Sequence, residues 1–244
     1  MKKHLSVFML MVRSSFYPIV GLLMAMAVIQ GAVFCRLLFL GSSEEVFGLE
    51  HMVSGSHLGW IFGIFFWLIA FFLLRTGNGH GSKQGYTLLR LGISERWVFF
   101  WQCVYNCLMF TLFWLVECLI VLGLTRLYVH CAPQGYVTGQ TVFLAFHRSD
   151  FLHSLLPMDD TPAWVRNGIL VLCLGICAAR FPVDARRGYK FQEFVPLACI
   201  TVPFFTQGLG NGGAHILTIT VALLLVTFSL YKTFVPSQEG EDDA

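Results

Sequence analysis

The sequence predicts an all-α integral membrane protein with six transmembrane helices. Of its 244 residues, 56% are hydrophobic and only 12% are charged, and the mean hydropathy is +0.69. A soluble domain cannot hide so much apolar surface in one core. Apolar runs recur near the length of about 20 residues that a bilayer core requires. The net charge of +2 is not massed in one patch, which excludes a nucleic-acid partner.

The N-terminal stretch predicts an interfacial helix that precedes the first span. Residues 1–15 carry three cations on an apolar repeat with helical spacing, which is typical of a helix lying in the membrane interface. We expect the chain to turn into the membrane near Pro18 and to cross it over residues 16–34. The next two spans are predicted at 59–74 and 97–124.

The segment between the second and third spans is the most polar part of the chain. Residues 75–96, RTGNGHGSKQGYTLLRLGISER, hold four cations against the single acid Glu95, which predicts a cytoplasmic loop. After its Gly-rich start we predict a short helix over 84–91, a stop at Gly92 and a new helix with Ser94 as its N-cap. The loop either docks a cytosolic partner or only fixes the topology.

Glu117 is the one ionisable residue well inside a predicted span. A carboxylate there costs several kcal/mol unless it is protonated, paired or exposed to a polar cavity. Two interpretations stay open. The side chain is a protonated acid hydrogen-bonded across a helix interface, or it takes part in transport.

A long segment that we predict to be external follows the third span, over residues 125–165. Its core, TVFLAFHRSDFLHSLLP, is too apolar for a solvated loop and too interrupted to span, so we predict a helix in the outer interface. His147, Asp150 and His153 recur every three residues and fan over about 120° of a helix. They are weak candidates for a metal site, and anchoring by an Arg148–Asp150 pair is favoured over it.

The C-terminal part predicts three further apolar segments and a second basic turn. The turn carries Arg186 and Arg187 and is a second candidate docking surface. The segments are predicted at 167–181, at 194–206 with two prolines, and at 214–234, and the acidic tail 238–244 is predicted to be disordered. This arrangement places 12 of the 16 cations on the cytoplasmic side and four outside, namely Arg36, Arg126, Arg148 and Arg166. The split predicts that both termini are cytoplasmic in one membrane domain over 1–244.

The eight cysteines favour packing over chemistry. Only Cys35 and Cys131 fall near the predicted outer face, so at most one external disulfide is expected. The pairs Cys103/Cys107 and Cys173/Cys177 have i, i+4 spacing and would form a metal site only if they faced each other, and small-residue packing is favoured.

The order of elements resembles the membrane subunit of a type-2 ATP-binding-cassette exporter: an interfacial N-terminal helix, six spans, a short cytoplasmic helix after the second span and a broken hairpin between the last two. The helix that couples to the ATPase in that family matches Gly85–Arg96 here. The start MKKHLSVF and the segment AFHRSDFLHSLLP also resemble small bacterial permeases. The final hairpin is shorter, and the external segment longer, than is usual in the family.

The resemblance implies a permease subunit in a bacterial plasma membrane that exports a hydrophobic or amphipathic substrate such as a lipid, peptide or toxin. ATP and Mg would bind to separate ATPase subunits, because this chain has no G-x-x-x-x-G-K-[ST] loop. A second membrane subunit, identical or diverged, is expected beside it. The residues expected to contact the ATPase are Tyr86, Leu89, Arg90, Ile93, Glu95, Arg186 and Arg187.

Two alternatives belong to other classes. A membrane enzyme would use Glu117 or the histidines His130, His147 and His153, but no H-E-x-x-H motif supports it. A non-transporting assembly or regulatory subunit would use the same cytoplasmic surface only to hold a partner. We expect neither catalysis nor a cofactor in this chain.

Overall fold

Helices account for all the regular structure in the described part of the chain. The computed structural model describes residues 2–40, 48–76, 94–132, 137–158, 160–186, 193–207 and 212–234. Its nine helices within these ranges are α1 Lys2–Leu40, α2 Leu49–Gly55, α3 Leu58–Thr76, α4 Glu95–Cys131, α5 Gly139–Arg148, α6 Asp150–Leu155, α7 Thr161–Arg186, α8 Phe194–Gln207 and α9 Gly212–Phe234.

Five of these helices, α1, α3, α4, α7 and α9, are long and apolar enough to cross a membrane. This supports the predicted all-α membrane class. The fifth predicted span, 194–206, corresponds to α8, which is apolar but has only 14 residues. At 1.5 Å per residue, 14 residues reach about 21 Å, which is less than the roughly 30 Å of a hydrocarbon core. The structure therefore supports five full-length spans and one shorter apolar helix.

The predicted boundary between an interfacial helix and the first span is wrong. Residues 2–40 form one helix of 39 residues, and Pro18 lies inside it rather than at a turn. Proline removes one backbone donor, but a long apolar helix tolerates that loss when neighbouring groups satisfy the freed carbonyl. Proline therefore did not mark an element boundary here.

The predicted external segment is narrower than 125–165 and contains two helices. Helix α4 continues to Cys131 and α7 already begins at Thr161. Between them, the predicted interfacial helix is divided at Ser149 into α5 and α6. The amide of Ser149 donates to the carbonyl of Ala145, but its backbone is extended. Histidines on either side of this break therefore do not share one helical face.

Contacts between side chains fix the direction of each helix. Ser15 meets Tyr105 and Gln30 meets Glu117, so α1 and α4 are parallel. The ring pairs Phe62–Phe113 and Phe66–Phe110 show that α3 is antiparallel to α4. The distal end of the bundle is defined here by Leu40, Leu58, Cys131, Thr161, Gln207 and Gly212, and the opposite end is the proximal end.

Helices α4 and α7 approach each other most closely at Gly175. A Cβ atom at this position would lie 2.7 Å from the amide nitrogen and 2.8 Å from the Cα atom of Cys107, and it would also overlap with the Cys107 sulfur. A methyl group cannot displace backbone as it can displace a flexible side chain. Gly175 therefore permits this helix contact, as small residues do in membrane proteins generally.

We predict that Gly175→Ala destabilises the protein by about 1 to 3 kcal/mol, because overpacking would force α7 away from α4. The measurement is thermal unfolding of the detergent-solubilised protein, with a decrease in Tm of about 5 °C expected. Gly168→Ala on the same helix is the control, because a Cβ there meets nothing within 4 Å. Equal Tm values for the two variants would contradict the close contact.

Candidate functional site

A pocket of about 870 Å³ lies at the distal end of the bundle. It is bounded by α2, α3, the α5–α6 junction and α8. Its size is within the range of about 300 to 1,000 Å³ that is typical of small-molecule sites. The lining residues used below are Glu50, His57, Trp60, Ile64, Trp67, Arg148, Asp150, Val202 and Pro203.

The side walls of the pocket are the apolar helices α3 and α8. Trp60, Ile64 and Trp67 lie on successive turns of α3 and are all partly exposed at the bundle surface. Val202 and Pro203 line the opposite wall on α8. The pocket thus opens sideways, along about 10 Å of α3, toward the surface that faces lipid in a membrane.

Two glycines bring the pocket walls together. Gly59 and Gly63 are four residues apart and lie on one face of α3. A Cβ at Gly59 would be 3.4 Å from the carbonyl oxygen of Thr206, and one at Gly63 would be 3.3 Å from a methyl group of Val202. Larger residues at either position would separate α3 from α8 and open the floor of the pocket.

The distal rim of the pocket is polar, in contrast to its walls. Arg148 and Glu50 form a loose ion pair, with 3.8 Å between guanidinium nitrogen and carboxylate oxygen, and Asp150 lies beside them. His57 occupies the turn between α2 and α3 with φ of 51°. A positive φ is unusual for a residue other than glycine and often marks a functional site. The pocket is therefore amphipathic, with charge at the rim and hydrocarbon along the walls.

A buried hydrogen-bond network centred on Arg166 holds the α6 and α8 side of the pocket in place. The Nε and Nη2 atoms of Arg166 donate to Asn167 Oδ1 at 3.1 and 2.9 Å. Asn167 Nδ2 donates to the carbonyl of Ser154 on α6 at 2.8 Å. Ser154 Oγ donates to the carbonyl of Phe205 on α8 at 2.6 Å. Helices α6 and α8 are thereby tied to α7.

The same network includes α9 through His215. Arg166 Nη1 lies 2.8 Å from His215 Nδ1, and arginine can only donate, so Nδ1 accepts. The imidazole is therefore the neutral Nε2–H form, and its Nε2 lies 3.5 Å from Asp160 Oδ2. The sequence placed Arg166 among the external loop cations, whereas the structure buries it within α7. The sequence around Arg166 gave no sign that this arginine is buried.

A second buried cluster of charges lies at the proximal end. Lys232 Nζ is 2.7 Å from Glu193 Oε1, and Arg180 donates to the carbonyl of Lys232 at 3.1 Å. Arg180 and Glu193 are buried, so Glu117 is not the one buried ionisable residue within the bundle. This cluster fastens the proximal ends of α7, α8 and α9.

Glu117 is fully buried between α1 and α4. Gln30 Nε2 donates to both carboxyl oxygens of Glu117, at 2.8 and 3.1 Å. The pocket lining includes no residue of either helix. This geometry matches the first of the two interpretations above, a polar contact across a helix interface. The partner residue, Gln30, was not singled out from the sequence.

Three further side chains in the described part of the chain have a buried polar atom without a hydrogen-bond partner. Asn106 lacks partners for both of its polar atoms, and Gln102 Nε2, one turn earlier on α4, also lacks one. Trp114 Nε1 is the third, and its ring packs edge-on against Trp164. An amide pair at helical spacing is visible in the sequence, but only the structure shows that it faces inward.

The residues predicted to contact an ATPase are not placed by the structure. Tyr86, Leu89, Arg90, Ile93 and Arg187 lie outside the described residues, as do the side chains of Glu95 and Arg186. Ser94 is the N-cap residue of α4, as predicted, although its side chain makes no capping hydrogen bond. The contact surface stays a prediction.

The candidate metal ligands are only partly brought together. The rings of His147 and His153 meet edge-to-face at 5.5 Å, whereas Asp150 lies at the pocket rim. Within the described part of the chain, no group of three His, Cys, Asp or Glu side chains is arranged to hold a metal ion. All eight cysteines are free, including Cys35 and Cys131.

Comparison with known protein families, with curated proteins and with solved structures found no match to this chain.

We predict that Glu117→Gln preserves folding whereas Glu117→Lys abolishes it. The introduced amide can accept from Gln30 Nε2 and donate to Gln30 Oε1, which has no partner now. A lysine would bury an unpaired charge and clash with the donor of Gln30. Size-exclusion chromatography in detergent is the measurement, with Glu50→Lys at a partly exposed position as the control. If both Lys variants elute as folded protein, Glu117 faces water.

Proposed function

We propose that this chain is the permease subunit of a membrane transporter that is driven by a separate ATPase and that exports a hydrophobic or amphipathic substrate. The substrate would enter or leave through the distal pocket. In this proposal the distal end faces the exterior and both termini are cytoplasmic, as the distribution of cations predicts. Export rather than import rests on the family resemblance alone.

One observation carries this proposal: the two walls of the pocket are the two helices that continue directly into the two predicted coupling segments. Helix α3 ends at Thr76, where the 75–96 segment begins. Helix α8 begins at Phe194, after the predicted basic segment with Arg186, which is the last residue of α7, and Arg187. A force applied to these segments would thus reach both sides of the pocket along rigid helices.

The proposed mechanism follows from the difference between the two walls. Helix α8 is fastened by the Arg166 network, whereas α3 meets it through van der Waals contacts at Gly59 and Gly63. Closure of two ATPase subunits would push on the 75–96 segment and tilt α3 against α8. The floor of the pocket would open at this contact by a shear motion of packed helices.

The first test is affinity purification of the chain from its native host in mild detergent, followed by mass spectrometry. We expect an ATP-binding-cassette ATPase in roughly stoichiometric amount, and a second membrane subunit if the assembly is heteromeric. ATP hydrolysis by this complex should change when an amphipathic solute is added. A complex whose hydrolysis ignores every solute would favour an assembly or regulatory subunit, and recovery of the chain alone would refute the proposal.

We predict that Leu89→Asp or Ile93→Asp leaves the protein in the membrane but releases the ATPase. Both are apolar residues of the predicted coupling segment, Leu89 on its short helix and Ile93 just after the stop at Gly92. The measurement is the amount of ATPase retained in the pull-down, with a loss of at least tenfold expected. Thr87→Asp, on the side of the short helix opposite to Leu89, is the control. Full retention of the ATPase by both variants would remove the assignment of the coupling segment.

A further inference from the structure

We propose that the distal pocket binds a phospholipid with a zwitterionic phosphoethanolamine headgroup. One acyl chain would lie in the groove between α3 and α8, and the headgroup would lie at the rim between Arg148, Glu50 and Asp150. This inference requires that the chain lies in a membrane, but it does not require ATP-driven transport.

The walls of the groove select hydrocarbon. The exposed fractions of Trp60, Ile64 and Trp67 are 71%, 59% and 39%, so this side of α3 faces the surroundings of the bundle. In a bilayer those surroundings are acyl chains, because water does not fill an apolar groove at that depth. An acyl chain seated against α8 would cover Val202 and Pro203. It would supply van der Waals contacts that the recessed groove otherwise lacks.

The rim selects the headgroup. The distance of 3.8 Å between Arg148 and Glu50 is too long for a hydrogen bond, and both side chains are well exposed, at 66% and 42%. Such a pair contributes little by itself, so its partners are available to a ligand. A phosphate oxygen accepts from the guanidinium of Arg148, and an ammonium group donates to the carboxylate of Glu50 or Asp150.

The balance of charge at the rim separates headgroup classes. Two carboxylates stand against one guanidinium, so a purely anionic headgroup would meet net repulsion. A purely cationic amphiphile would leave the guanidinium of Arg148 without a phosphate to bind. A zwitterionic headgroup that carries one phosphate and one primary amine matches all three side chains. A quaternary amine would lack the hydrogen atoms that the carboxylates accept.

The experiment uses the intrinsic tryptophans of the pocket as reporters. Purified full-length protein in detergent is titrated with phosphatidylethanolamine or phosphatidylglycerol that carries identical brominated acyl chains, which quench nearby indoles. We expect saturable quenching, with half-saturation at a concentration about fivefold lower for phosphatidylethanolamine, as two weak charge contacts would give. Replacement of Trp60 and Trp67 by Phe should remove most of the saturable quenching.

Arg148→Gln and Asp150→Asn test the location of the headgroup. Asp150→Asn should reduce the preference for phosphatidylethanolamine to less than about twofold, because it removes an acceptor of the ammonium group. Arg148→Gln should raise the half-saturating concentration of both lipids about threefold, because both carry the phosphate. Neither substitution should change the elution volume or Tm. Arg126→Gln is the matched control, because Arg126 is an exposed arginine of α4 that does not line the pocket. It should keep the full preference.

Three results would overturn the inference. Equal, unsaturable quenching by both lipids would mean that only non-specific boundary lipid is present. An unchanged preference in Asp150→Asn together with unchanged half-saturation in Arg148→Gln would place the headgroup elsewhere. Saturable binding of a cationic amphipathic peptide, but not of phosphatidylethanolamine, would mean that the pocket takes a peptide. None of these results depends on whether an ATPase partner is recovered, so the transporter proposal stands or fails separately.

Discussion

The structure depends on one constraint: polar groups inside an apolar bundle must find their partners within that bundle. Arg166 illustrates it, because its buried guanidinium is satisfied by Asn167 and His215. Through Ser154 the same network reaches α6 and α8. These two helices are too short to span a membrane by themselves, and hydrogen bonds to α7 hold them at the distal end. The pocket at the distal end can therefore stay open, because these hydrogen bonds hold α6 and α8 in position.

Helix α3 is attached to the bundle by different forces from those that hold α8. Its contact with α8 is van der Waals packing over Gly59 and Gly63, and its contact with α4 is a stack of aromatic rings, with Phe62 and Phe113 at 4.8 Å. Such contacts vary smoothly as helices slide, whereas a buried hydrogen bond is either formed or lost. Sliding at the boundary between α3 and α8 would thus cost packing contacts rather than buried hydrogen bonds.

The sequence predicted those features that depend on composition and periodicity. The apolar runs located α3 and α9 within two residues at each end, and the interrupted run at 141–157 indicated a non-spanning helical segment. Prediction from the sequence failed for features that depend on tertiary contacts. Pro18 did not end α1, and Arg166 was assigned to a loop because a lone cation at a predicted helix end has no local sign of burial. The pocket joins residues about 150 positions apart, from Glu50 to Pro203, and no spacing rule connects them.

Glu117 and the pocket rim show why burial alone does not identify a functional group. Glu117 is enclosed by α1 and α4 with an amide partner already in place, so a ligand could reach it only if these helices separated. Arg148 and Glu50 are exposed, loosely paired and positioned above an apolar groove. A ligand improves their hydrogen bonding, whereas it would disrupt that of Glu117. The weakly satisfied charges at the rim are therefore the better candidates for recognition, and the hydrogen-bonded carboxyl group of Glu117 is better explained as a link between two long helices.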